Sequence, residues 1–249
     1  MAQVAADPEL SLPAAGEVHL WLLREPAALR ADESEQIQQL LSTEERQRWQ
    51  RFHHEEDANR FLITRALQRR MLARYCSADP AALRFGSDTH GKPFLLIKDS
   101  PHATLRFNLS HTRGLCVLAV SNTLEVGVDV ENTDRNVEML PLAVRFFAKE
   151  EAVFLQSLPE SELRAAFFRL WTLKEAYVKA RGIGLKLGLD RFIVDVTDND
   201  SPRLLHSMDA EPAHWSCTAA MTDSWHVAAF VQAVSAQWQW RELVLAELL

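Results

Sequence analysis

No apolar run in this chain approaches the roughly 20 residues that a membrane-crossing helix needs, so no membrane partner is expected. Cysteine is scarce. Cys76, Cys116 and Cys217 are far apart, odd in number and without metal-ligand spacing, which fits reduced packing thiols in a cytoplasm. The first residues, Met1 to Pro13, include Asp7 and Glu9 and lack both a basic start and an apolar stretch, so they do not read as a signal peptide. Excess positive charge is missing as well, and a net charge of -7 disfavours a nucleic-acid binder. Several familiar signatures are absent: no Gly-x-x-x-x-Gly-Lys-Ser/Thr loop, no Gly-x-Gly-x-x-Gly after a strand, no His-Glu-x-x-His, and no Gly-x-Ser-x-Gly around Ser110.

What remains is an ordinary globular composition, 47% apolar and 24% charged, over 249 residues, enough for one large domain or two of usual size. Val18 to Leu23 reads as a short buried strand. Ser42-Thr43-Glu44-Glu45 opens a helix as a capping box, and Asp57 to Tyr75 carries apolar residues at helical spacing until Asp79-Pro80 breaks it. Leu105 to Asn108, Leu115 to Ser121 and Val126 to Glu131 read as strands. Helices resume near Pro141 and at Ser161 to Arg181, with Gly182 as a stop. Arg51-Phe52-His53-His54-Glu55-Glu56 echoes Arg145-Phe146-Phe147-Ala148-Lys149-Glu150, each expected to lead into a long helix. Such a repeat implies two related α+β halves joined near Ser121-Asn122-Thr123, with a cleft between them as the ligand site.

Three segments carry chemistry. In Val126-Gly127-Val128-Asp129-Val130-Glu131, strand alternation puts the valines on one face and both carboxylates on the other, with α-carbons about 6.5 to 7 Å apart. Two such charges repel unless a cation lies between them, and an all-oxygen ligand set favours Mg2+ or Mn2+ over zinc. For an isolated Asp-x-Glu, an ordinary solvated strand face is the favoured reading. In Trp171-Thr172-Leu173-Lys174-Glu175-Ala176-Tyr177-Val178-Lys179, Trp171, Glu175 and Lys179 share a helical stripe, as a surface ion pair or as a metal ligand with a phosphate-neutralising lysine. In Phe107-Asn108-Leu109-Ser110-His111, a hydroxyl and an imidazole close a strand and suit phosphate contacts. Upstream, Gly91-Lys92-Pro93 is expected to be a tight, exposed turn presenting its lysine. The eight arginines between Arg46 and Arg74 read either as a solvated helical face or as a basic patch for a phosphorylated ligand.

Taken in order, these motifs, with Arg145 to Glu151 and the Gly182-Ile183-Gly184-Leu185 turn, resemble the phosphopantetheinyl transferase superfamily in its larger single-chain, surfactin-synthetase-activating form. The resemblance spans roughly Ser42 to Phe192. It implies a pseudo-twofold α+β fold with the active site in the cleft between similar halves, residues 1–122 supplying coenzyme A nucleotide contacts and 123–249 the metal site and catalytic helix. It implies transfer of 4'-phosphopantetheine from coenzyme A to a serine of an apo acyl, peptidyl or aryl carrier protein, releasing adenosine 3',5'-bisphosphate. By position, Asp129, Glu131 and Glu175 match the metal ligands, Glu175 also the base, and Lys179 the lysine beside the leaving phosphate. His111 matches a pyrophosphate contact, and Ser110, Lys92 and Arg48 match phosphate contacts on coenzyme A. Glu45 departs from the pattern, since a lysine is common there, and Arg46 is the neighbour placed to compensate. A monomer is expected because one chain holds both halves. Arg145 and Phe146-Phe147 are candidates for carrier docking, with helix packing the favoured reading. A binding module without activity and a phosphohydrolase using water are the competing functions.

Overall fold

The computed structural model describes residues 10–97, 101–198 and 201–249, so most of Met1 to Pro13 lies outside the described residues. In chain order the strands are β1 (Glu17–Arg24), β2 (Phe85–Ser87), β3 (Pro93–Leu95), β4 (Leu105–Thr112), β5 (Leu115–Asn122), β6 (Val126–Asn132), β7 (Phe192–Asp195), β8 (Arg203–Ser207), β9 (Ser216–Thr222), β10 (Trp225–Val231) and β11 (Gln237–Leu243). The helices are α1 (Ala31–Leu40), α2 (Thr43–Trp49), α3 (Glu55–Cys76), α4 (Met139–Phe146), α5 (Lys149–Ser157) and α6 (Glu160–Arg181). The fold is mixed α+β. One sheet has the order β11-β1-β5-β4 and the other β6-β10-β9.

Strand alternation builds the core in layers. On β1, Trp21 and Leu23 join the apolar cluster under α3, while Val18, Leu20 and Leu22 point the other way. There they meet Val126, Val128 and Val130 of β6 and Val227, Ala229 and Val231 of β10. The two sheets are thus back to back, and β1 and β5 read as near-continuous apolar runs because both faces are buried. The reverse face of β10, through Ala228 and Phe230, packs under α6.

The expected helices and strands are present, and β4 runs on to Thr112, carrying Ser110 and His111 within the strand. The chain's end crosses the expected division at 122/123. β11 pairs in parallel with β1, and Leu243, Leu245 and Leu248 enter the first core, so the first sheet takes its edge strand from the C-terminus.

The echo between the halves has a different register from the one expected. Glu55 does open a 22-residue helix, but Lys149 opens only the nine-residue α5. The equivalence instead lies in a buried ion pair. Glu45 and Glu151 are each the third residue of a short helix, and each caps its own N-terminus, accepting from Ser42 N at 2.9 Å and Ala148 N at 3.1 Å. Each then pairs with the fifteenth residue of the following 22-residue helix, Arg69 in α3 or Lys174 in α6. Each base also reaches a backbone carbonyl beyond its helix, Arg69 to Pro80 O at 2.8 Å and Lys174 to Phe192 O at 2.8 Å. Each stacks near a phenylalanine that opens a strand, Phe85 or Phe192. Glu45 therefore locks the first half together, which gives the departure from the family pattern a structural reason.

Gly127 sets how closely α6 lies on β6. A methyl at that position would overlap the Ala176 carbonyl oxygen and the Ala180 amide nitrogen, both helix backbone. Gly127→Ala is therefore expected to push α6 away from Asp129 and Glu131. It should cost about 1–3 kcal/mol or more and lower activity together with melting temperature, as thermal denaturation and a transfer assay on one preparation would show.

Candidate active site

The candidate site forms where the edge strands β4 and β6 of the two sheets meet beside α6. Asn108 joins the edges, its side-chain oxygen accepting from Val128 N at 2.9 Å. One step along the same face, Ser110 Oγ donates to Asp129 Oδ1 at 2.9 Å. Lys179 Nζ, from the last turn of α6, donates to both Ser110 Oγ at 2.8 Å and Asp129 Oδ1 at 2.6 Å. Alternation turns the next residue, His111, the other way, so the neighbouring Ser and His do not form a nucleophile–base pair.

Asp129 is only 6% exposed, and its second oxygen, Oδ2, is buried without a hydrogen-bond partner. Glu131, two residues on, is paired with Arg135 at 2.5 Å. Glu175 lies on the half-buried stripe of α6 with Trp171 and Lys179. Burial, and then the charge of Asp129, pushes both glutamates above the ordinary carboxylate range; Lys179 offsets this at Glu175 and Glu131 adds to it. Three carboxylates thus share one field. Among the described residues no group of three acidic, imidazole or thiol side chains is gathered as a metal cage, and Lys179 and Arg135 supply the countercharge. The orphaned Asp129 oxygen, the raised glutamates and the all-oxygen donor set nevertheless fit a hard divalent cation.

A basic region adjoins these acids. His111 keeps surface access, yet the protein packed around its ring, and then the charges of Arg60, Lys179, Arg65 and Arg48, hold its pKa below the usual imidazole range. Arg48 and Arg65 both lie over the Phe61 ring, at 5.6 and 5.3 Å. Sequence reading singled out Arg48 but missed Arg60 and Arg65. Composition showed the arginine run, while only the packing of α3 on β5, whose Cys116 pairs with His111, selects the members near that ring. Arg69, in the same run, is 1% exposed and structural. Arg46 is turned onto the Gln38 carbonyl at 2.6 Å.

Lys92 differs from expectation. The turn is tight, with Gly91 at φ 88° and Asp88 accepting from His90 N and Lys92 N, but its lysine is not presented to solvent. Lys92 Nζ donates to Glu125 at 2.7 Å and to the Ala180 carbonyl at the end of α6 at 3.1 Å. Lys174, to which the sequence reading gave no role, is wholly buried against Glu151. Phe147 is buried and stacks on Phe167, whereas Phe146 stays partly exposed, edge-on to Trp171 and under Arg145.

Comparison with known proteins bears on what such a site does. A family model described as the 4'-phosphopantetheinyl transferase superfamily matches residues 125–230, and one described as the N-terminal part of 4'-phosphopantetheinyl transferase matches residues 29–123. The 4'-phosphopantetheinyl transferase HetI of Nostoc sp. is 34% identical over 213 residues, 86% of each chain. The chain belongs to the 4'-phosphopantetheinyl transferase superfamily. The 4'-phosphopantetheinyl transferase Sfp of Bacillus subtilis is 33% identical over 196 residues, covering 75% of this chain and 84% of that one. Membership makes the protein an enzyme of the phosphopantetheine-transferring class, whose family function is modification of a carrier protein. Among its described residues no helix is long and apolar enough to cross a membrane.

Proposed function

We propose that this transferase moves 4'-phosphopantetheine from coenzyme A onto a serine of an apo acyl, peptidyl or aryl carrier protein, as a cytoplasmic, Mg2+-dependent monomer. The observation that carries the reading is the convergence of Ser110 and Lys179 on Asp129, between two further carboxylates and a basic face. Both halves contribute to this one site, which supports a monomer. Free thiols at Cys76, Cys116 and Cys217 support a reducing compartment.

In this scheme Arg48, Arg60 and Arg65 neutralise the phosphates at the nucleotide end of coenzyme A, and His111, as a neutral ring, donates a hydrogen bond to them. Asp129, Glu131 and Glu175 would hold Mg2+, or Mn2+, whose chemistry there is that of a Lewis acid on phosphate oxygens. Glu175 accepts the proton of the carrier serine. The serine oxygen forms a bond to the phosphorus bearing pantetheine, and the bond from that phosphorus to the bridging oxygen breaks. Lys179 neutralises or protonates the departing phosphate of adenosine 3',5'-bisphosphate. Phosphoryl transfer asks for this positioning and charge neutralisation more than for covalent participation by the protein.

Lys92 is assigned a phosphate contact, made by exchanging Glu125 for the ligand. Lys92→Ala is then expected to raise the KM for coenzyme A about tenfold, as loss of one charge-assisted hydrogen bond would, with kcat little changed. A fall in melting temperature with unaltered KM would instead make it a tether for α6.

The function is tested by the intact mass of purified apo carrier proteins after incubation with this chain, coenzyme A and Mg2+. The expected gain is about 340 Da, one phosphopantetheine, lost when EDTA replaces the metal. No gain on any of several carriers, with coenzyme A binding intact, would leave a binding module; phosphopantetheine released without an acceptor would mark a hydrolase.

A further inference from the structure

The seam between the two sheets continues past the transfer constellation. Alternation along β4 puts Arg106, Asn108 and Ser110 on one face, and each side chain bonds across the seam. Ser110 donates to Asp129, Asn108 accepts from Val128 N, and Arg106 Nε donates to Glu125 Oε1 at 3.1 Å. Glu125, just before β6, is shared between two cations. Its other oxygen, Oε2, accepts from Lys92 Nζ at 2.7 Å. Lys92 Nζ is also held by the Ala180 carbonyl, the residue after Lys179 in the last turn of α6. Arg106 Nη1 makes long contacts to the carbonyls of Ala103 at 3.4 Å and Leu105 at 3.3 Å.

Lys92 and Arg106 bring two positive charges and Glu125 one negative, so the group keeps an excess of positive charge. The carboxylate bridges the cations, one oxygen to each. A phosphate has the peripheral oxygens to bridge them in the same way, with charge-assisted bonds of the same kind. Burial divides the group. The Lys92 side chain is 13% exposed and anchored on helix backbone, whereas that of Glu125 is 42% exposed. The cation is therefore part of the wall, while the carboxylate turns into water at little cost in desolvation. The face that bears Arg106 also bears Ser110, and coenzyme A carries phosphate at both the 3' and 5' positions of its nucleotide. A ligand laid along the seam can thus meet both ends.

Resting on the reading of Lys92 as a phosphate contact, we propose that Glu125 is an internal anion competing with coenzyme A for Lys92 and Arg106. Arg106 is then a second phosphate-binding residue, uncovered by the exchange. Glu125 weakens coenzyme A binding and takes both cations back when the nucleotide leaves.

The test is isothermal titration of the full chain with coenzyme A in the absence of a carrier protein. Glu125→Gln is expected to tighten binding about fivefold, the factor of one unit charge about 4 Å away in water-like surroundings. Arg106→Met should weaken it by a similar factor. A general rise in positive field would also tighten binding, so the decisive comparison places Glu125→Gln in a Lys92→Met, Arg106→Met background. There the gain should vanish. Exposed ion pairs add little stability, so Glu125→Gln should melt with the wild type; Glu125→Ser takes its place if it does not fold. Binding unchanged or weakened by Glu125→Gln, binding unchanged by Arg106→Met, or a gain that survives without both cations would overturn the proposal. Lys92→Met alone tests the reading beneath it. An unchanged Kd removes Lys92 as a phosphate contact and the proposal with it. A raised Kd with no effect of Glu125→Gln leaves that reading standing and removes the proposal alone.

Discussion

Replacing Glu175 by alanine is expected to lower phosphopantetheine transfer by about 10^3-fold or more, the combined scale of a lost general base and a lost ligand for transition-state charge. The fold should survive. Glu175 is half-buried on α6, and burial together with Asp129 and Glu131 raises its pKa, so the folded protein holds this charge at a cost. Removing it takes away repulsion rather than a packing contact. The melting temperature should therefore stay unchanged or rise slightly while turnover disappears. A time course of carrier mass at saturating coenzyme A and Mg2+, read beside a thermal melt, separates the two effects. Asp129→Ala should be equally inactive but less stable, because it strips Ser110 and Lys179 of their shared acceptor. A Glu175→Ala variant that keeps a near-normal rate would remove this residue from the mechanism, whatever the carrier.

The second large effect is on stability. Lys174 is 0% exposed; its ammonium touches both oxygens of Glu151 and the Phe192 carbonyl, and Glu151 in turn accepts from Val194 N and Ala148 N. One ion pair therefore joins α5, α6 and β7. Burial pushes the lysine down to about 8 and the glutamate up, so desolvation weighs against both charges. Breaking such a pair costs more than deleting it. Lys174→Met should destabilise by about 3–5 kcal/mol, because Glu151 is left buried and uncompensated. For a chain of this size that is a fall in melting temperature of roughly 6–20 °C. The double variant Lys174→Met with Glu151→Leu should recover much of the loss. Denaturant melts of wild type, both single variants and the double variant measure the coupling, and simple additivity would contradict it. Arg69 and Glu45 should behave alike in the first half, since the same device recurs there.

How much of this was legible beforehand varies from residue to residue. The capping box at Ser42 and Glu45, the long helices ending near Cys76 and Arg181, and the alternation that separates Val128 from Asp129 are local properties of the chain, set within one or two turns. They were readable because spacing alone decides them. The stripe bearing Trp171, Glu175 and Lys179 was readable for the same reason. The partners of those side chains were not. Lys179 bonds across to Ser110, 69 residues away, and Lys92 to Ala180, 88 residues away. The echo of Arg51–Glu56 in Arg145–Glu150 misplaced the register between the halves, because similar letters are a weaker guide than which glutamate meets which buried base.

By itself the sequence determined the family, through several short motifs in one order, and the faces on which the acids and bases stand. Tertiary structure alone decided which of those groups share a field. Asp129, Glu131 and Glu175 share one field only because Gly127 lets α6 come down onto β6, and Arg60 and Arg65 stand apart from their arginine neighbours only because α3 packs on β5 beside His111. The C-terminal strand beside β1 was equally hidden. The physical reason is common to all three: electrostatic coupling and strand pairing depend on distance in space, and spacing along a chain fixes that distance only within a single helix or strand.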